Sequence, residues 1–336
     1  MAAFIPEIDV SALASDDLAS KQATAKKIAK ACTTTGFFTI TGHGVDVSLI
    51  AATRAAAAEF FSSPETLKNL VLRPPEKISR GWNPLQDRSL ANTLGEETPP
   101  DLQEAWAMGP PDSGDEPYFT EGAGQKLFAP NKWPKIPQFR EILTAYHEAM
   151  TSLANRMMKG FALALNLEEN YFARQSDRPC SVVRLVRYPA QTERPLTGQL
   201  RAGAHTDYGS FTFVKGDNVP GGLQVSDGSG GWVDVEAPLD GFVCNIGDTM
   251  QRWTGGKFRS TLHRVINPPA KAVAQNRISL VYFHLPNIDA VLGDAHDSDA
   301  LTFGEHYFGK IVKAAKSDNG GSSASAKELV SGGLVE

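Results

Sequence analysis

SVVRLVRYP, residues Ser181–Pro189, is the first of a series of short apolar runs separated by turn residues. It is followed by FTFV (Phe211–Val214), GGLQV (Gly221–Val225), GGWVDV (Gly230–Val235), FVCNIGD (Phe242–Asp248), STLHRVIN (Ser260–Asn267) and RISLVYFHLP (Arg277–Pro286). Each run is too short for an amphipathic helix and rich in β-branched and aromatic residues, so each reads as a strand at barrel or sandwich spacing. Gly228, Gly230 and Gly231 lie between Gln224-Val225 and Trp232-Val233, which predicts a hairpin turn. These glycines are not a phosphate cradle, since there is no GxxxxGK[ST] and no strand-GxGxxG-helix unit.

Upstream the pattern is mixed. Glu7–Val10 reads as a short strand after Pro6. Asp16 or Asp17 caps a helix to about Thr34, with Leu18, Ala25, Ile28 and Cys32 at helical spacing. Phe37–Ile40 is a strand, Gly42-His43-Gly44 a loop, and Val47–Phe61 a second helix that stops before Pro64. From Lys77 to Pro134 periodicity is poor, and a long loop with short strands is expected. Phe139, Leu143, Tyr146, Met150, Leu153 and Met157 then mark a helix over about Pro137–Leu165, with a core stripe. A last helix covers about Gly304–Ala315, and the Gly/Ser/Ala/Lys-rich stretch Lys316–Glu336 is expected to be mobile. The expected organisation is a mixed helical region over 1–175, a barrel with its C-terminal helix over 176–315 and a tail over 316–336, the first two packed as one unit.

Composition narrows the function classes. The 336 residues are 41% hydrophobic and 21% charged, which excludes a wholly disordered chain. A formal net charge of -5 argues against a nucleic-acid partner. The N-terminus lacks a basic region followed by an apolar run, and no stretch of eighteen apolar residues occurs, so neither a cleaved signal nor membrane association is expected. Cys32, Cys180 and Cys244 form no CxxC pair, which fits a reducing compartment. A cytoplasmic monomer acting on a small molecule is the expectation.

Seven histidines are present, and His205, in AHTDYGSFT, has the most informative neighbours. His205 and Asp207 stand two apart at the start of a predicted strand, which puts both side chains on one face. Alone this is weak, because a chance HxD is expected in about one such chain in three. His263, in STLHRV, supplies a third ligand if a late strand returns beside an early one. Two histidines and a carboxylate on one face leave three positions of an octahedral iron open, the arrangement of oxygen-activating Fe(II) sites. The bland alternative is a turn histidine and a satisfied sheet histidine. Arg277 and Ser279 also share a strand face, and a guanidinium beside a hydroxyl suits a carboxylate.

The segments HTDYGSFTFV, GGLQV, NIGDTMQRWTGGKFRSTLHRV and RISLVYF occur in the order that resembles 2-oxoglutarate- and Fe(II)-dependent dioxygenases, isopenicillin N synthase-like branch. IPEIDV and GFFTITGHGV resemble that branch's N-terminal signature, and DLQEAWAMG its mid-chain motif. The resemblance spans about residues 5 to 313. It implies an α+β chain with a double-stranded β-helix (jelly-roll) core and flanking helices. It implies that His205, Asp207 and His263 hold Fe(II), that Arg277 and Ser279 bind the distal carboxylate of 2-oxoglutarate, and that Tyr188, in RYPA, supports that carboxylate. Plant members often carry asparagine two before this tyrosine, whereas here the residue is Val186. The implied reaction uses O2 to oxidise a C–H bond, usually by hydroxylation, releasing succinate and CO2.

RLVRYPA followed by GQLRAGAHTDYGS is similar to a microbial subgroup that includes thymine 7-hydroxylase. Arg184, on the face of Tyr188, is a candidate contact to an anionic or carbonyl-bearing substrate, with a cosubstrate or surface carboxylate as its alternative partner. Tyr208, Trp253 and Phe283 are candidate pocket aromatics, core packing being the alternative for the last two. Trp82 and Asn83 are candidate entrance contacts, and His43 is placed off the metal. Two rival functions remain at this point: an oxidase of the same fold that does not use 2-oxoglutarate, and a non-catalytic binding protein. A zinc hydrolase is a weaker third, because no closed tetrahedral set is evident.

Overall fold

The computed structural model describes residues 5–75, 78–87, 89–96, 98–217, 219, 222–293 and 300–319. The N-terminal part comprises β1 (Glu7–Asp9), α1 (Leu18–Thr34), β2 (Phe37–Thr41), α2 (Val47–Ser62), α3 (Glu65–Asn69), β3 (Gly81–Asn83), β4 (Glu104–Met108), α4 (Pro117–Thr120), α5 (Gly122–Leu127) and α6 (Phe139–Ala164). Then come β5 (Val182–Tyr188), β6 (Ala202–His205), β7 (Phe211–Lys215), β8 (Leu223–Ser226), β9 (Trp232–Val235), β10 (Phe242–Ile246), α7 (Asp248–Trp253), β11 (His263–Val265) and β12 (Arg277–His284). β13 (Val291–Leu292), β14 (Leu301–Thr302) and α8 (Phe303–Asn319) are the last described elements.

Local chemistry sets the helix ends. Asp17 caps α1, its carboxylate accepting from the amides of Ala19 and Ser20 at 3.2 and 3.1 Å. Gly36 ends it with φ of +69°, and a Cβ there would lie 2.0 Å from the Arg259 carbonyl oxygen, so only glycine fits. α8 continues to Asn319, beyond the expected end at Ala315, and the rest of the expected tail, 320–336, lies outside the described residues.

The strands form the two sheets of a double-stranded β-helix. The large sheet runs β1-β2-β10-β7-β12-β5-β4-β3 and the small one β6-β11-β8-β9. The hairpin expected at Gly228–Gly231 joins β8 to β9. Within the segment expected to be loop with short strands, β3 and β4 are such strands, and β4 is fully buried between β3 and β5. A strand covered on both faces shows no alternation, and EAWAM is too short for any other periodicity to reveal it.

Alternation along the large sheet separates two environments. The outward residues Leu280 and Tyr282 of β12, Leu185 of β5 and Trp106 of β4 join the apolar stripe of α6 in the main core. The inward residues Ala105, Val186, Tyr188 and Val281 meet Ala202 and Val265 of the small sheet, and Phe37 and Val243 meet Leu223, Val225 and Val235. The space between the sheets holds the site.

Two histidines are buried on the outer side. His284 stacks on Phe211 at 4.7 Å, and neither ring nitrogen has a hydrogen-bond partner among the described residues. Burial pushes its pKa down to about 3. His147 contacts the Ser181 carbonyl at 3.1 Å, yet burial brings it to about 4. Both are neutral in the folded chain, while in the unfolded chain they take up protons below about pH 6.5. Their stabilising neutral burial is therefore complete above pH 6.5 and is lost as pH falls towards 4 and 3. His284→Phe, which keeps the stack, is expected to flatten the acid limb of stability by roughly 1 kcal/mol per pH unit below 6. Urea unfolding of both proteins at pH 7 and pH 5 measures this; equal slopes would mean that His284 is not the neutral group described.

Candidate active site

β6 ends on His205, and β11 begins on His263 directly opposite it. Their rings lie 4.3 Å apart between centroids. Alternation predicts that Asp207 shares a strand face with His205, but the strand stops at His205 and Asp207 lies in the irregular segment that follows it. The NIGD stretch holds that segment. The Asp248 amide donates to the Asp207 carbonyl at 2.7 Å, and the Thr249 hydroxyl to the Tyr208 carbonyl at 2.6 Å. Thr206 donates to the Asp248 carboxylate at 3.1 Å. Gly247 permits this approach, because a Cβ there would lie 2.3 Å from the Gly209 carbonyl oxygen.

The donor atoms converge. Nε2 of His205 and of His263 lie 3.8 and 3.7 Å from Asp207 Oδ1. Nδ1 of His205 meets the Gly203 carbonyl at 2.8 Å and Nδ1 of His263 the Thr261 carbonyl at 3.1 Å. Those acceptors place the proton on Nδ1 and leave each Nε2 lone pair facing the carboxylate. Asp207 Oδ2 accepts from Thr212 Oγ1 at 2.6 Å and Asn245 Nδ2 at 2.7 Å, so Oδ1 is the oxygen left for a cation. Burial opposes the charge on Asp207, but the charge of the two histidines when protonated, together with these hydrogen bonds, outweighs it and holds the carboxyl below the usual carboxylate range. Among the described residues this is the one group of three or more His, Cys, Asp or Glu side chains close enough to share a metal ion. Two neutral nitrogens and one carboxylate oxygen on one side of a point fit Fe(II) and leave the other side for exogenous ligands.

Arg277 faces the same interior. It is 6% exposed, Nη1 donates to Ser279 Oγ at 2.5 Å, and Nε has no hydrogen-bond partner among the described residues. Tyr188 is its register partner on β5, with the guanidinium 5.5 Å from the ring centroid. Burial lowers the Arg277 pKa, although Tyr188 and Asp217 work in the opposite direction, and a guanidinium remains charged. Among the described residues no carboxylate forms an ion pair or hydrogen bond with it.

The other expected residues separate. Phe283 pairs with Thr212 in register, on the face of the Asp207 partner. Arg184 pairs with Val281 on the same inner wall. The Tyr208 ring meets Tyr307 of α8 at 6.1 Å. Trp253 is not brought to the triad: it packs on Phe172 at 4.8 Å within the main core. Asn83 pairs with Ala105, so it lies on the inner face. Trp82 points the other way and donates to Glu104 at 2.8 Å. His43 is engaged by the Asp240 carbonyl and the Val45 amide at 2.6 and 3.0 Å, away from the triad. Sequence reasoning missed Thr212 and Asn245. Each falls inside a quoted motif, FTFV and FVCNIGD, but only the pairing of β7 with β10 shows that both reach one oxygen.

This fold and donor set define a non-haem iron oxygenase. Two family models match the chain: the 2OG-Fe(II) oxygenase superfamily over residues 179–286, and the N-terminal region of non-haem dioxygenases of morphine synthesis over residues 5–136. A 2-oxoglutarate-Fe(II) type oxidoreductase, hxnY, of Emericella nidulans is 33% identical over 85% of this chain and 80% of its own length. A homoarginine-6-hydroxylase of Glycine max is 32% identical over 92% and 96%. A full-length Neurospora crassa protein, crystallised in complex with alpha-KG and thymine, superposes with a TM-score of 0.78 at 27% identity, covering 93% of this chain and 97% of that one. The chain belongs to the 2OG-Fe(II) oxygenase superfamily. It is a 2-oxoglutarate-dependent dioxygenase, with Fe(II) and 2-oxoglutarate as cofactor and cosubstrate. No helix among the described residues is long and apolar enough to cross a membrane.

His205→Ala and Asp207→Ala are expected to abolish both iron binding and turnover while retaining the fold, as measured by metal analysis and circular dichroism. Asn245→Ala, which removes one of the two groups fixing the carboxylate, is expected to weaken Fe(II) roughly 10–100-fold. Wild-type iron affinity in Asn245→Ala would show that the hydrogen bond does not orient the ligand.

Proposed function

We propose that this enzyme hydroxylates an unactivated C–H bond of a small molecule, with succinate and CO2 released from 2-oxoglutarate. The observation that carries the reading is the buried Arg277–Ser279 pair, facing the interior that holds the triad and lacking a carboxylate among its described partners. A buried cation without a counter-ion is costly, and a dicarboxylic keto acid supplies the missing charge. When bound, Fe(II) and 2-oxoglutarate provide the oxygen-activating chemistry. The chain's own part is placement. His205, Asp207 and His263 hold the ion on one side. Arg277 and Ser279 take the distal carboxylate, and Tyr188 closes over it. The apolar inner wall of Val186, Val281 and partly buried Phe283 excludes water.

Arg184, Tyr208 and Phe283 are the residues proposed to meet the substrate. Arg184 adds a guanidinium to an otherwise apolar wall, which favours a substrate with a carboxylate or carbonyl. Thymine is present in the related Neurospora crassa structure, and the soybean relative is described as acting on homoarginine. Both are small molecules, which supports the size class proposed here.

Labelled 2-oxoglutarate tests the reaction: succinate is expected in a 1:1 ratio with the oxidised product. Turnover that consumes none would overturn the proposal. Arg277→Leu is expected to weaken 2-oxoglutarate by roughly 3–5 kcal/mol, since it leaves the distal carboxylate buried and unpaired. Unchanged cosubstrate affinity would remove Arg277 from this role.

A further inference from the structure

The register of β7 and β12 stops at Lys215 opposite Leu280. Continued by two residues, it would set Gly216 against Ser279 and Asp217 against Ile278, yet no backbone rung forms there. Side chains replace it. Asp217 Oδ2 accepts the Ile278 amide at 2.7 Å. Arg54, reaching in from α2, donates to the Ile278 carbonyl at 2.8 Å and to the Lys215 and Gly216 carbonyls at 3.2 and 3.3 Å. Its Nη1 also forms an ion pair with Asp217 Oδ1.

Opening the ladder brings Gly216 against the Arg277 guanidinium, where an added Cβ would stand 2.4 Å from Nη2. It also leaves a carboxylate, Asp217, close enough to Arg277 for its charge to be felt there. That carboxylate is a rival for the charge that the distal carboxylate of 2-oxoglutarate would neutralise. Arg54 and the Ile278 amide occupy both of its oxygens.

We propose that Arg54 is a positioning residue for the cosubstrate: by holding Asp217 on the backbone of Ile278, it keeps that carboxylate off Arg277 and leaves the buried guanidinium for 2-oxoglutarate. This rests on the proposed pairing of Arg277 with the distal carboxylate. The described partners of Arg54 are Asp217 and the backbone of Lys215, Gly216 and Ile278, so the role proposed is indirect. Its effect is on selection between keto acids, because only an acid with a distal carboxylate competes with Asp217.

The test is anaerobic titration of the Fe(II)-loaded full chain with 2-oxoglutarate and with 2-oxobutanoate, which has the same keto-acid end and no distal carboxylate. The visible charge-transfer band reports both. Arg54→Gln is expected to weaken 2-oxoglutarate by about tenfold and leave 2-oxobutanoate unchanged. Arg54→Gln combined with Asp217→Asn is expected to regain most of that loss, which a merely structural role for Arg54 would not produce. Asp217→Asn alone, whose amide oxygen still accepts from Ile278, is expected to bind 2-oxoglutarate at least as tightly as wild type and tests the idea even if Arg54→Gln folds poorly. Wild-type 2-oxoglutarate affinity in Arg54→Gln, an equal loss for both acids, no recovery in the double variant, or weaker binding in Asp217→Asn would each overturn the proposal. Arg277→Leu serves as the reference: if it retains the preference for 2-oxoglutarate, the underlying carboxylate assignment fails instead.

Discussion

The centre of this molecule depends on one carboxylate whose two oxygens do different work. Asp207 Oδ2 is committed to Thr212 and Asn245, neighbours across β7 and β10. Oδ1 is thereby turned towards two imidazoles whose protons are held elsewhere. A buried carboxylate with both oxygens equally solvated by protein would be a structural anchor. A divided one is suited to be a ligand, oriented before any ion arrives. The rest of the barrel serves this division: the large sheet supplies the fixing donors, the small sheet both histidines, and the NIGD turn the backbone contacts that bend the chain between them.

A second charge, on the large sheet, faces the same interior. Arg277 is fixed by Ser279 and Tyr188, neither of which neutralises it. Carboxylates are available nearby but committed outwards: Glu104 to Lys68 and Arg187, Asp217 to Arg54. The interior thus carries a guanidinium as well as the His205–Asp207–His263 donor set, which suits the proposed grip on both ends of a keto acid with a second carboxylate.

Much of the fold was legible in the sequence because its signals were local. The Asp17 cap, the α6 stripe and the Gly228–Gly231 hairpin each depend on residues within a few positions. The triad was legible through the spacing of His205, Asp207 and His263, although strand alternation is not what assembles it: Asp207 lies in the irregular segment just past the strand end. What escaped was non-local. β4 has no alternation because both its faces are covered. Thr212 and Asn245 meet Asp207 only through strand pairing, and Trp253 could be assigned to core or cavity only once Phe172 was seen against it.

The interleaving of early and late strands has a consequence for the life of the protein in the cell. β2 pairs with β10 some two hundred residues downstream, and β4 lies between β3 and β5 across the whole of α6. Such distant pairings make folding slow and place it late, after loop closure has been paid in entropy. A nascent chain emerging from the ribosome presents His205 and Asp207 well before His263 and the strand bearing Arg277 exist. The three donors therefore cannot meet until the chain has grown past His263, and a chain that stops before β12 lacks Arg277, Ser279 and Val281 of the interior wall.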